Sequence, residues 1–458
     1  MAAFQAKTLA YLASLFFFFA SLASAQNYVG TQINNSLPFV PGAEVTYFNI
    51  KDTKGNNVTL TNYMSFNSSG KRPTDLSKIQ RAVVIVHGLQ RDPGTYMANI
   101  LSALRQVKNR PEVDVDSVAI MAPYFPNGDD KNKGYPWTDG LKAGRGSTTN
   151  ALVWQGSQWS GGSNNQYPYY STVTSSYDAL DAIVKWFDDK SVFPNMHQIV
   201  IAGHSLGAQT TQRYAALGNV LNTKSPVTYW IGNPNSWLWF NSSRPIDTSS
   251  CADYDDYRDG LSNFTNTYAA SLVASGDQAV IDRWNSRSIN FARGTQDTGD
   301  DSTDCAPGTT GANRNERFYN FINWWPPSCS NPASGPCDTV DYVNVGHDAG
   351  AMMAAISGQS RLFLDNFSGD GSKAADFGCP RHQAGDDPHP DSTCTTPIAT
   401  PDQGTFSGLT YQGCYTDNGA HVLSTTAYVG NNSATVDGCA ATCVGKGFSI
   451  AGAEYGSE

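Results

Sequence analysis

The chain has 458 residues, of which 40% are hydrophobic and 15% are charged. This balance supports a sizeable core, and the length suits one large domain with a smaller second one. The formal net charge of −10 argues against nucleic acid as a partner, because nucleic-acid binding needs a basic surface.

The first residues have the pattern of a secretory signal peptide. Lys7 precedes an apolar stretch from Leu9 to Leu22, which ends in the small residues Ala23-Ser24-Ala25. This pattern predicts that residues 1–25 are removed. No second long apolar segment follows, so we expect a secreted product, extracellular or attached to the cell wall, without a membrane span. A retained signal anchor is the alternative.

Sequons and cysteines agree with secretion. Seven Asn-x-Ser/Thr sequons, which are acceptor sites for N-glycans, begin at Asn34, Asn57, Asn67, Asn241, Asn263, Asn366 and Asn431. The nine cysteines favour disulfides over a metal site in such a chain. Among the first six, Cys329–Cys337 and Cys379–Cys394 are the nearest neighbours, although spacing alone does not determine the pairing.

Hydrophobic patterning after the signal peptide predicts alternating strands and helices. Residues 43–66 predict an antiparallel hairpin with its turn at 54–57. Short apolar runs then predict strands at 82–86, 118–122, 198–202, 227–231 and 289–292. Helical periodicity predicts helices at 94–106, 175–187, 208–217 and 351–356. Residues 124–166 predict a long functional loop. This alternation predicts a mostly parallel sheet covered by helices on both faces.

The pentapeptide Gly203-His204-Ser205-Leu206-Gly207 lies between a predicted strand and a predicted helix. This context predicts a nucleophile elbow, a tight turn that exposes the serine hydroxyl. Glycines on both sides avoid clashes in such a turn. A chain with 42 glycines contains such pentapeptides by chance, so a plain turn is the alternative. The flanking strand and helix favour the elbow.

A serine nucleophile needs a base and an acid that orients the base, and after an elbow they follow in the order acid, then histidine. His347 follows an apolar run and precedes a predicted helix, so it is the candidate base. The histidines His382, His389 and His421 lie in the tail and the C-terminal module. Asp297 follows the 289–292 strand most closely and is the candidate acid. The alternatives are Asp300, Asp301 and Asp304.

The oxyanion hole is predicted from backbone N–H groups near the serine. One is that of Leu206, and the second belongs to the loop that begins at His87, where Leu89 is the expected donor and Gln90 the next choice. His87 is expected to shape this loop and not to act as a second base. The side chain of His204 is expected to point away from the triad.

Four motifs together carry a family resemblance: Val86-His87-Gly88, the elbow, Gly294-x-x-Asp297 and Gly346-His347-Asp348. Through them the chain from about Gly42 to Phe367 resembles a secreted fungal-type α/β-hydrolase. The resemblance implies that residues 26–378 have the α/β-hydrolase fold. It also implies acyl transfer through an acyl-serine intermediate, with Ser205, Asp297 and His347 as the triad.

Tryptophans mark the candidate substrate pocket. Trp154, Trp159 and Trp237 lie in segments expected above the strand ends, where ligands bind in this fold. Their rings would stack on sugar or aryl groups, and core packing is the alternative for each. The chain shows neither metal-ligand spacing nor a dinucleotide-binding glycine loop, so no metal or cofactor is expected.

The C-terminal residues have a different composition. Residues 379–408 are rich in Pro, Asp, Thr and Gly, which predicts a tail and linker. Residues 409–458 contain Gly413-Cys414-Tyr415, Cys439-x-x-x-Cys443 and Ala451–Gly456, and they resemble the first half of a WSC domain. The resemblance implies binding to cell-wall glycans. The family pattern continues with further cysteines, so we expect a fragment or a degenerate module, and a disordered tail is the alternative.

These features predict a secreted serine hydrolase that cleaves carboxylic esters, with acyl groups on polysaccharide or wall-linked esters as suggested substrates. An amidase or peptidase with the same triad is one alternative. A non-enzymatic wall-binding protein is the other.

Overall fold

The computed structural model describes a defined part of the chain: residues 31–32, 37–107, 113–130, 150–168, 173–220, 222–300, 304–328, 337–379, 389–390, 394–396, 405–406, 409–410 and 436–448. The predicted signal peptide and most of the WSC-like segment lie outside these residues, as does much of the predicted 124–166 loop.

A nine-stranded sheet forms the centre of the fold. Its strands are β1 (Thr31–Gln32), β2 (Ala43–Lys51), β3 (Asn57–Ser65), β4 (Arg81–Val86), β5 (Val118–Pro123), β6 (Gln198–His204), β7 (Val227–Gly232), β8 (Ser288–Gly294) and β9 (Thr339–Val343). They lie in the order β1-β2-β3-β5-β4-β6-β7-β8-β9. The β1–β2, β2–β3 and β3–β5 pairs are antiparallel, and the pairs from β5 to β9 are parallel. Antiparallel strands at one side of the sheet, followed by parallel strands in the order β5-β4-β6, are typical of the α/β-hydrolase fold. The predicted fold class is therefore confirmed.

Helices cover both faces of the sheet. They are α1 (Pro93–Val107), α2 (Ser176–Phe187), α3 (Leu206–Leu217), α4 (Ala270–Ala274), α5 (Asp277–Asn285), α6 (Cys305–Gly308), α7 (Arg314–Trp324), α8 (Ala349–Ala354) and α9 (Ile356–Gln359), followed by a π-helical turn at Ser360–Leu364. The predicted hairpin, the five predicted strands and the predicted helices are confirmed, with small shifts at their ends. Helices α4 to α7 and α9 were not predicted from the sequence.

Strand β4 shows why the core has two layers. Its six residues are all buried, as its β-branched run predicts. Ala82, Val84 and Val86 pack in the cluster that contains α2, α3, α5 and α7, whereas Val83 and Ile85 pack in the cluster with α1 and α8. Successive side chains of a strand point to opposite faces, so one apolar run supplies both layers.

The first residues of the predicted tail pack against the sheet. Cys379 and Cys394, which are near neighbours in the sequence, form a disulfide, and Cys251–Cys305 is a second bridge. Cys337 is also disulfide-bonded, and Cys329, its nearest cysteine in the sequence, lies outside the described residues. Beyond Cys394, Thr396 donates its backbone N–H to the Tyr342 carbonyl of β9 at 2.7 Å. Thr396, which belongs to the predicted tail and linker, therefore contacts the sheet.

Further on, the described residues include a two-stranded ladder, β10 (Thr405–Phe406) with β11 (Leu409–Thr410), and helix α10 (Val436–Gly445). Among the described helices, none has the length and hydropathy needed to cross a membrane.

A buried ion pair anchors β9, the strand that leads to His347. Asp341 on β9 accepts hydrogen bonds from Arg361 Nε at 2.7 Å and Nη2 at 2.9 Å. Both side chains are almost fully buried. Arg361 also donates to the carbonyls of Ala374 and Ala375, so it joins β9 to the segment that follows the π-helical turn.

Replacement of Asp341 by alanine is therefore expected to destabilise the fold by about 3–5 kcal/mol, because it leaves the Arg361 charge buried without its main partner. Urea unfolding followed by circular dichroism measures this. Asp189→Ala is the control, because Asp189 is exposed and accepts only short-range hydrogen bonds from Ser191, at 2.9 Å and 2.7 Å; we expect it to cost about 1 kcal/mol or less. Equal losses in the two variants would contradict the prediction.

Candidate active site

Ser205 occupies the turn between β6 and α3. Its backbone has φ 59° and ψ −126°, a positive φ that costs energy for a residue with a side chain. The Ser205 N–H donates to the Gly232 carbonyl at 3.0 Å, which ties the turn to β7. The residue is partly exposed although its neighbours are buried. The turn therefore presents the serine side chain at the carboxyl edge of the sheet.

The two glycines of the pentapeptide are needed for steric reasons. A Cβ on Gly203 would lie 2.2 Å from the Gly207 carbonyl oxygen. A Cβ on Gly207 would lie 2.2 Å from the Val86 carbonyl oxygen, on the adjacent strand β4. Backbone atoms cannot move away as the end of a flexible side chain can, so this turn excludes larger residues at both positions.

His347 and Asp297 meet above the same edge. Asp297 follows β8, His347 follows β9, and His347 Nδ1 lies 2.7 Å from Asp297 Oδ2. Asn233, at the end of β7, holds both loops: it accepts from Gly294 N–H at 2.7 Å and donates to the Gly346 carbonyl at 3.3 Å. The Asp297 side chain is 1% exposed, while that of His347 is 30% exposed and open to a ligand.

The elbow contacts this pair through His204, the residue before Ser205. The His347 ring packs on that of His204, the residue before the serine, with centroids 4.6 Å apart. Among the described residues, neither the Ser205 hydroxyl nor His347 Nε2 makes a hydrogen bond. Catalytic hydrogen bonds are often long or misaligned before a substrate binds. The structure thus joins the predicted acid to the predicted base, and the residue before the predicted nucleophile packs on that base.

Two arginines that the sequence analysis missed hold the Asp297 carboxylate. Arg314 Nη1, on α7, lies 2.9 Å from Oδ1, and Arg293 Nη1, on β8, lies 3.8 Å from Oδ2. Arg293 also donates to the Asp297 backbone carbonyl. Burial by itself raises the pKa of Asp297, but the hydrogen bond from His347 and the charges of His347, Arg293 and Arg314 lower it below the ordinary 3.8. Asp297 is therefore an anion across the neutral pH range.

The alternative acids have other positions. Asp300 pairs with Arg317 Nη1 at 2.9 Å and not with His347. Asp304 immediately precedes α6, and Asp301 lies outside the described residues. Among the described candidates, Asp297 is the carboxylate that binds the imidazole.

The backbone segments of the predicted oxyanion hole lie near Ser205, and their role stays a prediction. Leu206 is the first residue of α3, and no described residue accepts its N–H. The β4–α1 loop passes beside the serine, since a Cβ on Gly88 would lie 3.6 Å from Ser205 Cβ. The Leu89 carbonyl accepts from Arg91 Nη1 at 2.7 Å, and Arg91 Nε donates to Asp130 at 2.8 Å. The Leu89 carbonyl shares its peptide plane with the Gln90 N–H. The Gly88 carbonyl, which shares its plane with the Leu89 N–H, accepts from Arg91 N–H at 3.1 Å. Arg91 therefore holds both planes.

The two histidines beside the serine have structural partners. His87 is fully buried: Nδ1 lies 3.0 Å from the Gly88 carbonyl and Nε2 accepts from Phe125 N–H at 3.0 Å. Burial lowers the pKa of His87 to about 3, so its ring is neutral and holds two loops together. This agrees with the predicted loop-shaping role.

The prediction that His204 points away from the triad is wrong. Its buried ring lies under His347, with Nε2 3.4 Å from Asn233 Nδ2 and Nδ1 3.5 Å from the Tyr96 hydroxyl. As the last residue of β6, His204 projects to the sheet face where the His347 loop returns. Burial and the neighbouring His347 lower the pKa of His204, which keeps its ring neutral.

The three candidate pocket tryptophans belong to the core. Trp154, Trp159 and Trp237 are 0%, 0% and 1% exposed. Trp159 stacks on Phe125, and Trp237 stacks on Phe321 of α7 with centroids 4.1 Å apart. A side chain with no exposed surface offers no ring face to a ligand, so the structure favours the core-packing alternative over the predicted pocket.

Comparisons with known proteins extend over parts of the chain. No family model matches it. A WSC domain-containing protein of Arthroderma benhamiae is 38% identical over 69 residues, which are 15% of this chain and 7% of that protein. This chain thus spans a small fraction of the length of the curated relative it matches.

Solved structures with similar folds include two hydrolases. A poly(3-hydroxybutyrate) depolymerase from Bordetella parapertussis has a TM-score of 0.40 and 17% identity, covering 68% of this chain and 88% of that one. A siderophore hydrolase from Aspergillus nidulans has a TM-score of 0.35 and 11% identity, covering 72% and 98%.

Proposed function

We propose that the protein is a secreted serine hydrolase that cleaves carboxylic esters through an acyl-serine intermediate. The observation that carries this proposal is the 2.7 Å hydrogen bond between Asp297 and His347 at the edge where the elbow exposes Ser205. Ser205, Asp297 and His347 are the proposed triad, and the N–H groups of Leu206 and Leu89 are the proposed oxyanion hole.

The proposed reaction follows from the tautomer of His347. A carboxylate next to Nδ1 stabilises the tautomer that carries its proton there, so Nε2 keeps a lone pair. Nε2 accepts the Ser205 proton as Oγ attacks the ester carbonyl, and the Leu206 and Leu89 N–H groups stabilise the developing oxyanion. The imidazolium then protonates the leaving alcohol, and water releases the acid by the same steps.

Secretion and the substrate class are supported by features outside the triad. The signal-peptide pattern, the sequons and the Cys251–Cys305 and Cys379–Cys394 disulfides support an oxidising, extracellular location. The similarity of 69 residues to a WSC domain-containing protein supports a wall-bound enzyme acting on acylated polysaccharide or other wall-linked esters. Binding of cell-wall glycans by residues 409–458 is part of this proposal.

Active-site labelling tests the proposal. A fluorophosphonate probe is expected to attach to the secreted protein, and peptide mass spectrometry is expected to find the adduct on Ser205. The same preparation is then assayed on p-nitrophenyl esters, acetylated and feruloylated xylan, triglyceride and a p-nitroanilide. Ester turnover with a label on another residue would overturn the triad. Turnover of the anilide alone would replace the esterase by the amidase alternative.

A further inference from the structure

The loop between β4 and α1 is tied at both ends to the segment that follows β5. At the start of the loop, His87 Nε2 accepts from Phe125 N–H at 3.0 Å. At its end, Arg91 Nε donates to Asp130 Oδ2 at 2.8 Å. The Asp130 side chain is 1% exposed and that of Arg91 is 12% exposed, so this ion pair is largely shielded from water. Residues 88–90, which are predicted to supply the second oxyanion N–H, lie between the two ties.

Arg91 bonds both carbonyls of this stretch. Its backbone N–H donates to the Gly88 carbonyl at 3.1 Å, and its Nη1 donates to the Leu89 carbonyl at 2.7 Å. In a planar trans peptide the C=O and the N–H point in opposite directions, so the two bonds fix the directions of the Leu89 and Gln90 N–H groups. Neither N–H has an acceptor among the described residues, which leaves both available to a ligand.

The backbone of Arg91 has an unfavourable conformation. Its φ of 54° lies in the left-handed region, which is uncommon for a residue with a side chain. Such conformations persist where the surrounding contacts over-determine them, and they cluster at functional sites. Here the contacts are made by the side chain of the same residue, because Nε and Nη1 of one planar guanidinium bond Asp130 and Leu89 together.

The partner of Arg91 is itself held in place. Asp130 Oδ2 also accepts from Asn127 N–H at 2.9 Å, and the Asp130 N–H donates to the Asn127 carbonyl at 3.1 Å. Asn127 Nδ2 donates to the Gly156 carbonyl at 3.0 Å. Arg91 is therefore anchored on a turn that is closed by its own hydrogen bonds and attached to a further segment.

We infer that Arg91 is a positioning residue of the proposed oxyanion hole: anchored on Asp130, it holds the two peptide planes of residues 88–90. The inference rests on the proposed function. Donors that are fixed before the reaction need no reorganisation when the negative charge develops. Loss of the Arg91 side chain is therefore expected to weaken binding of the transition state and to leave binding of the ester itself nearly unchanged.

The test uses Arg91→Met, which keeps a long side chain but removes the donors. With p-nitrophenyl acetate we expect kcat to fall by about 10- to 100-fold and KM to change by less than about threefold. Trifluoroacetophenone is the second probe, because its carbonyl adds a serine hydroxyl and becomes an oxyanion. We expect it to inhibit Arg91→Met more weakly than wild type by a factor similar to the loss in kcat.

Two milder variants keep the inference testable if Arg91→Met does not fold. Arg91→Lys keeps the charge, but an ammonium lacks the planar fork that bonds Asp130 and the Leu89 carbonyl together. Asp130→Asn keeps an acceptor oxygen and removes its charge. Both variants are expected to show smaller losses, of roughly three- to tenfold, in kcat and in inhibition by the ketone.

Arg244→Met is the matched control. Like Arg91, Arg244 is buried and bonds both an aspartate and backbone carbonyls: it donates to Asp255 at 2.9 Å and to the Asn241 carbonyl at 2.7 Å. Its hydrogen bonds all join residues between 241 and 259, beyond β7. The control is expected to lose stability and to keep kcat and inhibition by the ketone within a few-fold of wild type.

The outcomes separate this inference from the proposed function. Folded Arg91→Met with wild-type kcat and ketone inhibition would overturn the inference, and so would a loss confined to KM or an equal loss in Arg244→Met. Wild-type values in both Arg91→Lys and Asp130→Asn would overturn it if Arg91→Met does not fold. In all these cases Ser205 still carries the fluorophosphonate label. Hydrolysis that survives without Ser205 would instead overturn the function.

Discussion

Ser205→Ala is expected to lower kcat/KM for p-nitrophenyl acetate by about 10⁴-fold or more and to abolish fluorophosphonate labelling. The change removes only Oγ, the proposed attacking atom. The elbow itself remains, because the Ser205 N–H still donates to the Gly232 carbonyl and the glycines at 203 and 207 still permit the close backbone approach. His347→Ala is expected to have a similar effect, since residues that act as one unit are not additive.

Ser236→Ala is the control for this experiment. Ser236 is buried just beyond β7, and its hydroxyl donates to Gln209 Oε1 at 3.1 Å. We expect this variant to keep its activity within a few-fold of wild type and to lose roughly 1 kcal/mol of stability. Wild-type hydrolysis by folded Ser205→Ala would exclude the acyl-serine mechanism. Hydrolysis at the uncatalysed rate by both wild type and Ser205→Ala would instead favour the non-enzymatic wall-binding alternative.

Asp297→Asn is expected to lower kcat by about 10⁴-fold, because an amide no longer selects the tautomer with the proton on Nδ1. It also removes the counter-charge of two buried arginines, so the free energy of unfolding is expected to fall by about 3 kcal/mol. Kinetics are measured at a temperature where circular dichroism shows the variant folded. Asp300→Asn is the matched control. Asp300 pairs with Arg317 of α7, the helix that also carries Arg314, but it does not contact His347. Equal losses of activity in the two variants would contradict the role of Asp297.

The stability difference between wild type and Asp297→Asn is expected to depend on pH. The folded pKa of Asp297 lies below the ordinary 3.8, so its anion stabilises the fold fully above the unfolded value. As pH falls below 3.8 through the folded pKa, that contribution is lost. Urea unfolding of both proteins between pH 3 and pH 7 is therefore expected to show a difference that shrinks at the acid end. A difference that grows there would contradict the ionised state of Asp297 in the fold.

The positions of Ser205, His347 and Asp297 could be predicted because chain order and local pattern carry the information. Few folds are compatible with a strand of β-branched residues that is followed by a glycine-dependent turn and then a helix. The arginines around Asp297 could not be predicted in this way. Arg314 lies on α7, a helix that the sequence analysis missed, and its contact with Asp297 depends on where that helix packs.

The tryptophans show that a sequence pattern does not separate pocket residues from core residues. Trp154 and Trp237 lie in loop-like segments beside predicted strand ends, where pocket and core residues have the same composition. A large aromatic side chain gains free energy from burial in either setting. Only the packing partners distinguish the two, as the stacking of Trp237 on Phe321 shows.

The contact of Thr396 with Tyr342 and Val343 has a consequence for how the protein is handled. β9 is the last strand of the sheet, and the Val343–Thr396 bridge occupies part of its open side. An uncovered outer strand is a template for association with other chains. In a shortened version that stops at residue 378, the open edge of β9 would be free to pair with another molecule. Such pairing would distort the loop that follows β9, which carries His347, the proposed base.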